Sequence, residues 1–104
     1  MELHLEFAHD STLTLLKLED ELTISLVDGK STLTFSISSN SDLKKLRQAL
    51  LKGGPELVNG LSISSTREED TYMIYICSLD CICKDYELNQ IVDFLSSFKF
   101  KPGA

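Results

Sequence analysis

The fold of this chain is decided by residues 13–37, which read LTLLKLEDELTISLVDGKSTLTFSI. Apolar residues alternate with Thr and Ser over residues 22–26 and again over residues 33–37, with Asp28-Gly29 between the two runs. Alternation with period two is typical of a half-buried strand, and an Asp-Gly pair between two such runs is typical of a tight hairpin turn. The segment therefore predicts a β-hairpin whose apolar face, Phe35 included, lies under the helices.

The strands before this hairpin extend it into a meander of four. Residues 2–7 alternate cleanly and predict a half-buried strand. In the next strand Leu13 and Leu15 have the opposite parity to Leu16 and Leu18, so we expect a β-bulge near Leu15-Leu16. The connections are short, and each strand is therefore expected to pair with the next in antiparallel fashion.

The remaining sequence predicts a helix, two strands and a second helix. Residues 39–42 are rich in N-cap residue types, and Gly53-Gly54-Pro55 marks the end of the first helix. Residues 61–64 and 71–83 have strand patterns, with Ser78-Leu79-Asp80 as a candidate break in the second of them. Asp85 is the expected N-cap of the last helix. The predicted class is α+β: one antiparallel sheet in the order four-strand meander, helix, two strands, helix, with both helices on one face in two layers. No internal repeat is evident.

Length and composition indicate one globular domain, residues 1–104. The apolar fraction of 42% and the charged fraction of 25% are ordinary for a folded protein and argue against disorder. No apolar run approaches the ~20 residues that a membrane helix needs, and the first residues lack the pattern of a secretory signal. We therefore expect a cytoplasmic protein that does not enter a membrane.

Three cysteines, Cys77, Cys81 and Cys83, lie within seven residues. An odd number at this spacing is a poor disulfide framework, and structural zinc sites usually present paired Cys-x-x-Cys knuckles. We expect buried structural thiols and no cofactor. A thiol or metal site at the cysteine cluster, completed by His4 or His9, is the weaker alternative.

Acidic groups in two connections are the candidate binding residues. Their members are Glu19, Asp20, Glu21, Glu68, Glu69 and Asp70. Neither group has the spacing of a calcium loop, and no phosphate loop, nucleophile elbow or zinc-protease motif occurs in the chain. With a net charge of −6, these turns suit recognition of a basic protein. The sequence thus favours a non-enzymatic protein-binding module, such as an inhibitor, an immunity-type protein or an adaptor or chaperone-like protein.

The four-strand meander leading into a helix, residues 1–52, resembles in element order the unit of the PC4, PUR-α and Whirly group of single-stranded nucleic-acid binders. The resemblance implies single-stranded nucleic-acid binding as the alternative function. Binders of that kind are expected to present basic and aromatic groups on the exposed strand face, where this chain has Thr, Ser, Glu2 and Glu6. Nucleic acid is therefore the less favoured partner.

Two further expectations concern relatives and assembly. Small size and acidity are similar to those of bacterial immunity proteins and type III secretion chaperones, a likeness of composition alone. An open sheet also has edges to cover, so a homodimer is a further candidate assembly.

Overall fold

The computed structural model describes residues 1–101 and consists of two units with the same element order, four antiparallel strands followed by a helix. The first unit contains β1 (Glu2–Phe7), β2 (Ser11–Lys17), β3 (Leu22–Asp28), β4 (Ser31–Ile37) and α1 (Asn40–Lys52). The second contains β5 (Glu56–Val58), β6 (Leu61–Glu68), β7 (Thr71–Ile76), β8 (Leu79–Lys84) and α2 (Asp85–Ser96). The α+β class and the meander followed by a helix are confirmed.

The strands form two sheets, each in the order of the chain: sheet A with β1-β2-β3-β4, and sheet B with β5-β6-β7-β8. The prediction of a single sheet with only two strands after α1 is therefore wrong. Strand β5 has three residues, too few to show a period. Residues 71–83 form two strands, β7 and β8, because the chain reverses at Cys77, which adopts φ 55. The pattern predicts one strand here because no Gly, Asn or Pro marks the turn.

Sheet A follows the predicted alternation closely. Its inner face buries Leu13, Leu15, Leu22, Ile24, Leu26 and Ile37. The hairpin forms one residue later than expected, since Asp28 pairs with Ser31 and leaves Gly29 (φ 62) at the first turn position. The predicted bulge is absent, because β2 keeps an unbroken register with β3. Leu16 consequently lies on the outer face and is 37% exposed.

Both helices pack on sheet B, and α2 also contacts β1 of sheet A. The buried side chains of the two sheets and two helices form one hydrophobic cluster. Neither helix of the described chain has the length and apolar character that a membrane crossing requires.

The ends of the helices are determined locally. At the start of α1 the Ser39 hydroxyl accepts a hydrogen bond from the backbone N–H of Asp42 at 3.1 Å, and α1 ends at Gly53 with φ 93. Helix α2 begins at Asp85, one residue earlier than an Asp85 N-cap would give, because the Glu87 carboxylate accepts from the backbone N–H of Lys84 at 2.9 Å.

Candidate functional site

The two acidic groups lie in equivalent turns of the two units. Glu19, Asp20 and Glu21 belong to the connection between the second and third strands of the first unit, and residues 68–70 close the connection between the second and third strands of the second unit. Five of the six side chains are exposed and Glu21 is half-buried. Each unit thus carries its carboxylates at the tip of its central hairpin, although the turns belong to different sheets.

Backbone hydrogen bonds and Lys17 hold the acidic turn between β2 and β3. The N–H of Leu18 donates to the carbonyl of Glu21 at 2.9 Å, and the Lys17 ammonium donates to the carbonyls of Leu18 and Glu19. The same ammonium lies 5.3 Å from the ring centroids of both Phe98 and Phe100. Lys17 is therefore engaged by carbonyls and aromatic faces, and it does not neutralise the carboxylates beside it.

Arg67 and Thr71 hold the acidic turn between β6 and β7. The Thr71 hydroxyl donates to the carbonyl of Glu68 at 3.0 Å, and Nε of Arg67 donates to the carbonyl of Glu69 at 3.2 Å. The rest of the Arg67 guanidinium donates to the Tyr72 hydroxyl at 2.9 Å and lies 3.6 Å from the carboxylate of Asp85. Arg67 is therefore bound to a backbone carbonyl, Tyr72 and Asp85, and it forms no ion pair with the acidic side chains of residues 68–70.

The six carboxylates have no partner within residues 1–101. In this part of the chain Arg67 forms an ion pair with Asp85 at 3.6 Å, and the His4 ring lies 3.9 Å from the Glu6 carboxylate. No hydrogen bond or ion pair connects one acidic turn to the other, so each is a separate patch. An exposed carboxylate is a hydrogen-bond acceptor only, and these six are free to bind Lys, Arg or backbone N–H groups of another molecule.

The cations of the chain are concentrated on α1, a feature that the sequence analysis did not single out. Lys44, Lys45, Arg47 and Lys52 lie on this helix with a single acidic residue, Asp42. Arg47 donates to the carbonyl of Leu95 at 3.1 Å, whereas the three lysines are exposed. The run of Lys and Arg between residues 44 and 52 was the signal available in the sequence. The surface is therefore divided into one basic helix and an otherwise acidic body.

The outer face of sheet A is a hydroxyl surface, as the alternation predicted. Ser25 and Thr34 are linked across the strands at 3.1 Å, Thr23 and Ser36 at 3.2 Å, and the His4 ring nitrogen Nδ1 lies 2.7 Å from the Thr14 hydroxyl. These groups largely satisfy one another. The outer face of sheet B is more apolar and carries Met73, Tyr75 and Ile82.

The cysteines do not form a common site. Cys81 and Cys83 are buried on β8, as expected, whereas Cys77 is exposed in the turn before it, so the expected burial is wrong for Cys77. Burial, followed by neighbouring thiol and carboxylate groups, raises the pKa of Cys81 to about 12, and burial with Glu87 and Asp85 raises the pKa of Cys83 to about 12. A thiol in such surroundings is a poor nucleophile. No group of three or more His, Cys, Asp or Glu side chains within residues 1–101 is arranged to hold a metal ion.

Comparisons with protein-family models, with curated proteins and with solved structures find no match to this chain. The acidic turns, the basic helix and the two outer sheet faces are therefore interpreted from their own geometry.

Proposed function

We propose that this protein is a non-enzymatic protein-binding module that engages a basic protein partner through its acidic turns, in the manner of an inhibitor, an immunity-type protein or an adaptor. One observation carries the proposal. The central hairpins of both units end in exposed carboxylates that have no intramolecular ion pair, while Lys17 and Arg67 beside them are bound to other groups.

Acidic turns of this kind act mainly on the rate and specificity of association. A single exposed ion pair contributes only about 0–1 kcal/mol, because water and salt screen it. Several carboxylates on one patch create a field that steers a basic partner into contact, and this steering weakens as salt concentration rises. We therefore expect binding that is sensitive to salt and that depends on the turns as groups.

Neutralising the first acidic turn is expected to weaken binding to a fluorescently labelled Lys/Arg-rich peptide about tenfold, if three ion pairs of ~0.5 kcal/mol are lost. The variant is Glu19→Gln/Asp20→Asn/Glu21→Gln, and the measurement is fluorescence anisotropy at low and physiological salt. The matched control removes three exposed carboxylates elsewhere, with Glu2→Gln/Glu6→Gln/Asp93→Asn. If both variants weaken peptide binding equally, the loss of affinity is due to the change in net charge alone, and a specific role for the turn is contradicted.

Single-stranded nucleic-acid binding is the second candidate. The observation that favours it is that four strands followed by a helix occur in both units, with Tyr75 (36% exposed) on the outer face of sheet B, where a base could stack. We expect no mobility shift of a labelled oligonucleotide at low salt. The matched control is Tyr86→Ala, which removes an exposed tyrosine from α2. A shift that is weakened by Tyr75→Ala and unchanged by Tyr86→Ala would favour nucleic-acid binding over protein binding.

A cytoplasmic location is part of the proposal and is supported by the state of the cysteines. All three are free thiols, although Cys81 and Cys83 lie on the same side of one strand. Free thiols persist most readily in a reducing compartment. Self-association is the remaining part of the proposal, and sheet A offers a specific surface for it.

A further inference from the structure

Strand β4 is one of the two edges of sheet A, and it carries no charge, proline or bulge that would hinder pairing with another strand. It runs for seven residues, Ser31–Ile37, with no charged residue and no proline, and its ladder with β3 is uninterrupted. Exposed edges are normally protected by charges, prolines, bulges or a covering element, because their free N–H and C=O groups pair readily with other strands.

The other three edges of the two sheets are protected or covered. Strand β1 presents Glu2, His4 and Glu6 along its exposed side. Strand β5 has three residues and packs against α1, and β8 carries the charged residues Asp80 and Lys84. Within the described chain, β4 is thus the long edge that carries no charge.

The register identifies the backbone groups that are free on β4. Asp28 and Ser31 flank a two-residue turn and form a hydrogen-bonded pair, so hydrogen-bonded and non-hydrogen-bonded pairs alternate along the ladder. The N–H and C=O groups of Thr32, Thr34 and Ser36 consequently point away from β3. In agreement, the Ser36 carbonyl accepts a hydrogen bond from the side chain of Asn59 at 2.7 Å. Thr32 and Thr34 form the free part of the edge.

We propose that this edge binds a second copy of the chain, with β4 of each copy pairing in antiparallel fashion to give a continuous eight-stranded sheet. A two-fold axis at Leu33 brings Thr32 of one copy opposite Thr34 of the other, and each donates its N–H and accepts at its C=O. The two Leu33 side chains then meet on the inner face, where Leu33 is only partly buried in the single chain. The hydroxyl ladder of the outer face continues across the contact.

Charge favours a second copy at this edge. Two chains of net charge −6 repel each other over most of their surfaces, and antiparallel pairing along β1 about His4 would set Glu2 of each copy opposite Glu6 of the other. Strand β4 is neutral. Antiparallel pairing also places Lys30, exposed in the turn before β4, opposite Ser36 of the other copy, whose partner on β3 is Thr23. Glu21 of that copy lies two strand spacings away, about 10 Å, and two residues along the strand, about 7 Å. The two backbones are thus about 12 Å apart, a distance that extended Lys and Glu side chains in contact span.

Light scattering and sedimentation up to millimolar concentration test the contact. We expect the mass to rise with concentration towards twice the 11.6 kDa of one chain. The variant Thr32→Lys/Thr34→Lys brings ammonium groups face to face across the contact and is expected to be monomeric. The matched control, Thr12→Lys/Thr14→Lys, adds the same charges to the same outer face on β2, an interior strand, and is expected to dimerise.

Hydrogen exchange supplies a second measurement that needs no variant. The amides of Thr32 and Thr34 exchange quickly in the monomer and are expected to become protected as the wild-type mass doubles. The proposal is overturned by a monomeric mass at every concentration, by a dimer that survives Thr32→Lys/Thr34→Lys, or by fast exchange of both amides in the dimer. A surviving dimer would identify another surface, such as the outer face of sheet B.

Discussion

Replacing Leu26 by Ala is expected to lower the free energy of unfolding by about 2–5 kcal/mol, whereas the same replacement at Leu33 has a much smaller effect. Leu26 is completely buried in the core, and Leu33, its direct partner across the β3–β4 ladder, is only partly buried. Truncating Leu26 removes its burial and leaves a cavity that sheet and helices fill incompletely. Truncating Leu33 removes atoms that already contact water.

The two leucines are a matched pair because the chemical change, the hairpin and the ladder position are the same. The measurement is urea unfolding followed by circular dichroism, at low protein concentration so that the proposed β4 contact contributes nothing. A native spectrum for both variants before unfolding is the control. Equal losses would mean that β4 is as well covered as β3, which would contradict both the partial burial of Leu33 and the exposed edge.

Phe35 illustrates the limit of the sequence pattern in this hairpin. The alternation predicted that Phe35 and Ile24 both lie under the helices, yet Phe35 is only partly buried while Ile24 is buried. A period of two shows which face a residue occupies, and it does not show whether the strand is central or at an edge. A loss of 3–5 kcal/mol, typical of a fully buried Phe, is therefore not expected for Phe35→Ala.

The first unit was predictable because its signals are local. The Asp28-Gly29 turn, the Ser39 cap and Gly53 each act within a few residues, and all three features appear close to their predicted positions. The second unit depended on signals that the chain lacks, since β5 has three residues and Cys77 turns without a Gly or Pro. Separation into two sheets is a long-range property that no local pattern encodes.

The sequence predicts that the acidic turns are exposed, but it does not predict whether their carboxylates form ion pairs. Acidic residues between strands are expected to be solvated, and five of the six in the turns of residues 19–21 and 68–70 are exposed. Whether neighbouring cations neutralise these carboxylates depends on distant parts of the chain. Lys17 contacts the rings of Phe98 and Phe100, about 80 residues away along the chain. Arg67 pairs with Asp85.

Alkaline pH is expected to destabilise this protein through Cys81 and Cys83. Their pKa values are raised from an ordinary 9.0 to about 12, chiefly because burial disfavours the thiolate. Below pH 9 the folded and unfolded chains both keep these protons, so the two thiols add no pH dependence. Between pH 9 and 12 the unfolded chain loses protons that the folded chain retains, and the free energy of unfolding falls as pH rises. At about pH 10.5 the loss is at most about 2 kcal/mol for each thiol, because part of the rise in the Cys81 pKa is repulsion by a Cys83 thiolate that has not formed at this pH.

Two variants separate this effect from the other effects of alkali on the chain. In Cys81→Ala/Cys83→Ala the fall in unfolding free energy between pH 8 and about 10.5 should be smaller than in the wild type, by up to about 4 kcal/mol, whatever packing is lost at neutral pH. Cys77→Ala removes an exposed thiol from the turn before β8 and should retain the wild-type slope. Urea unfolding at each pH, under reducing conditions, gives the three slopes. A double variant as sensitive to alkali as the wild type would show that the buried thiols ionise normally in the folded chain, and that β8 is open to solvent.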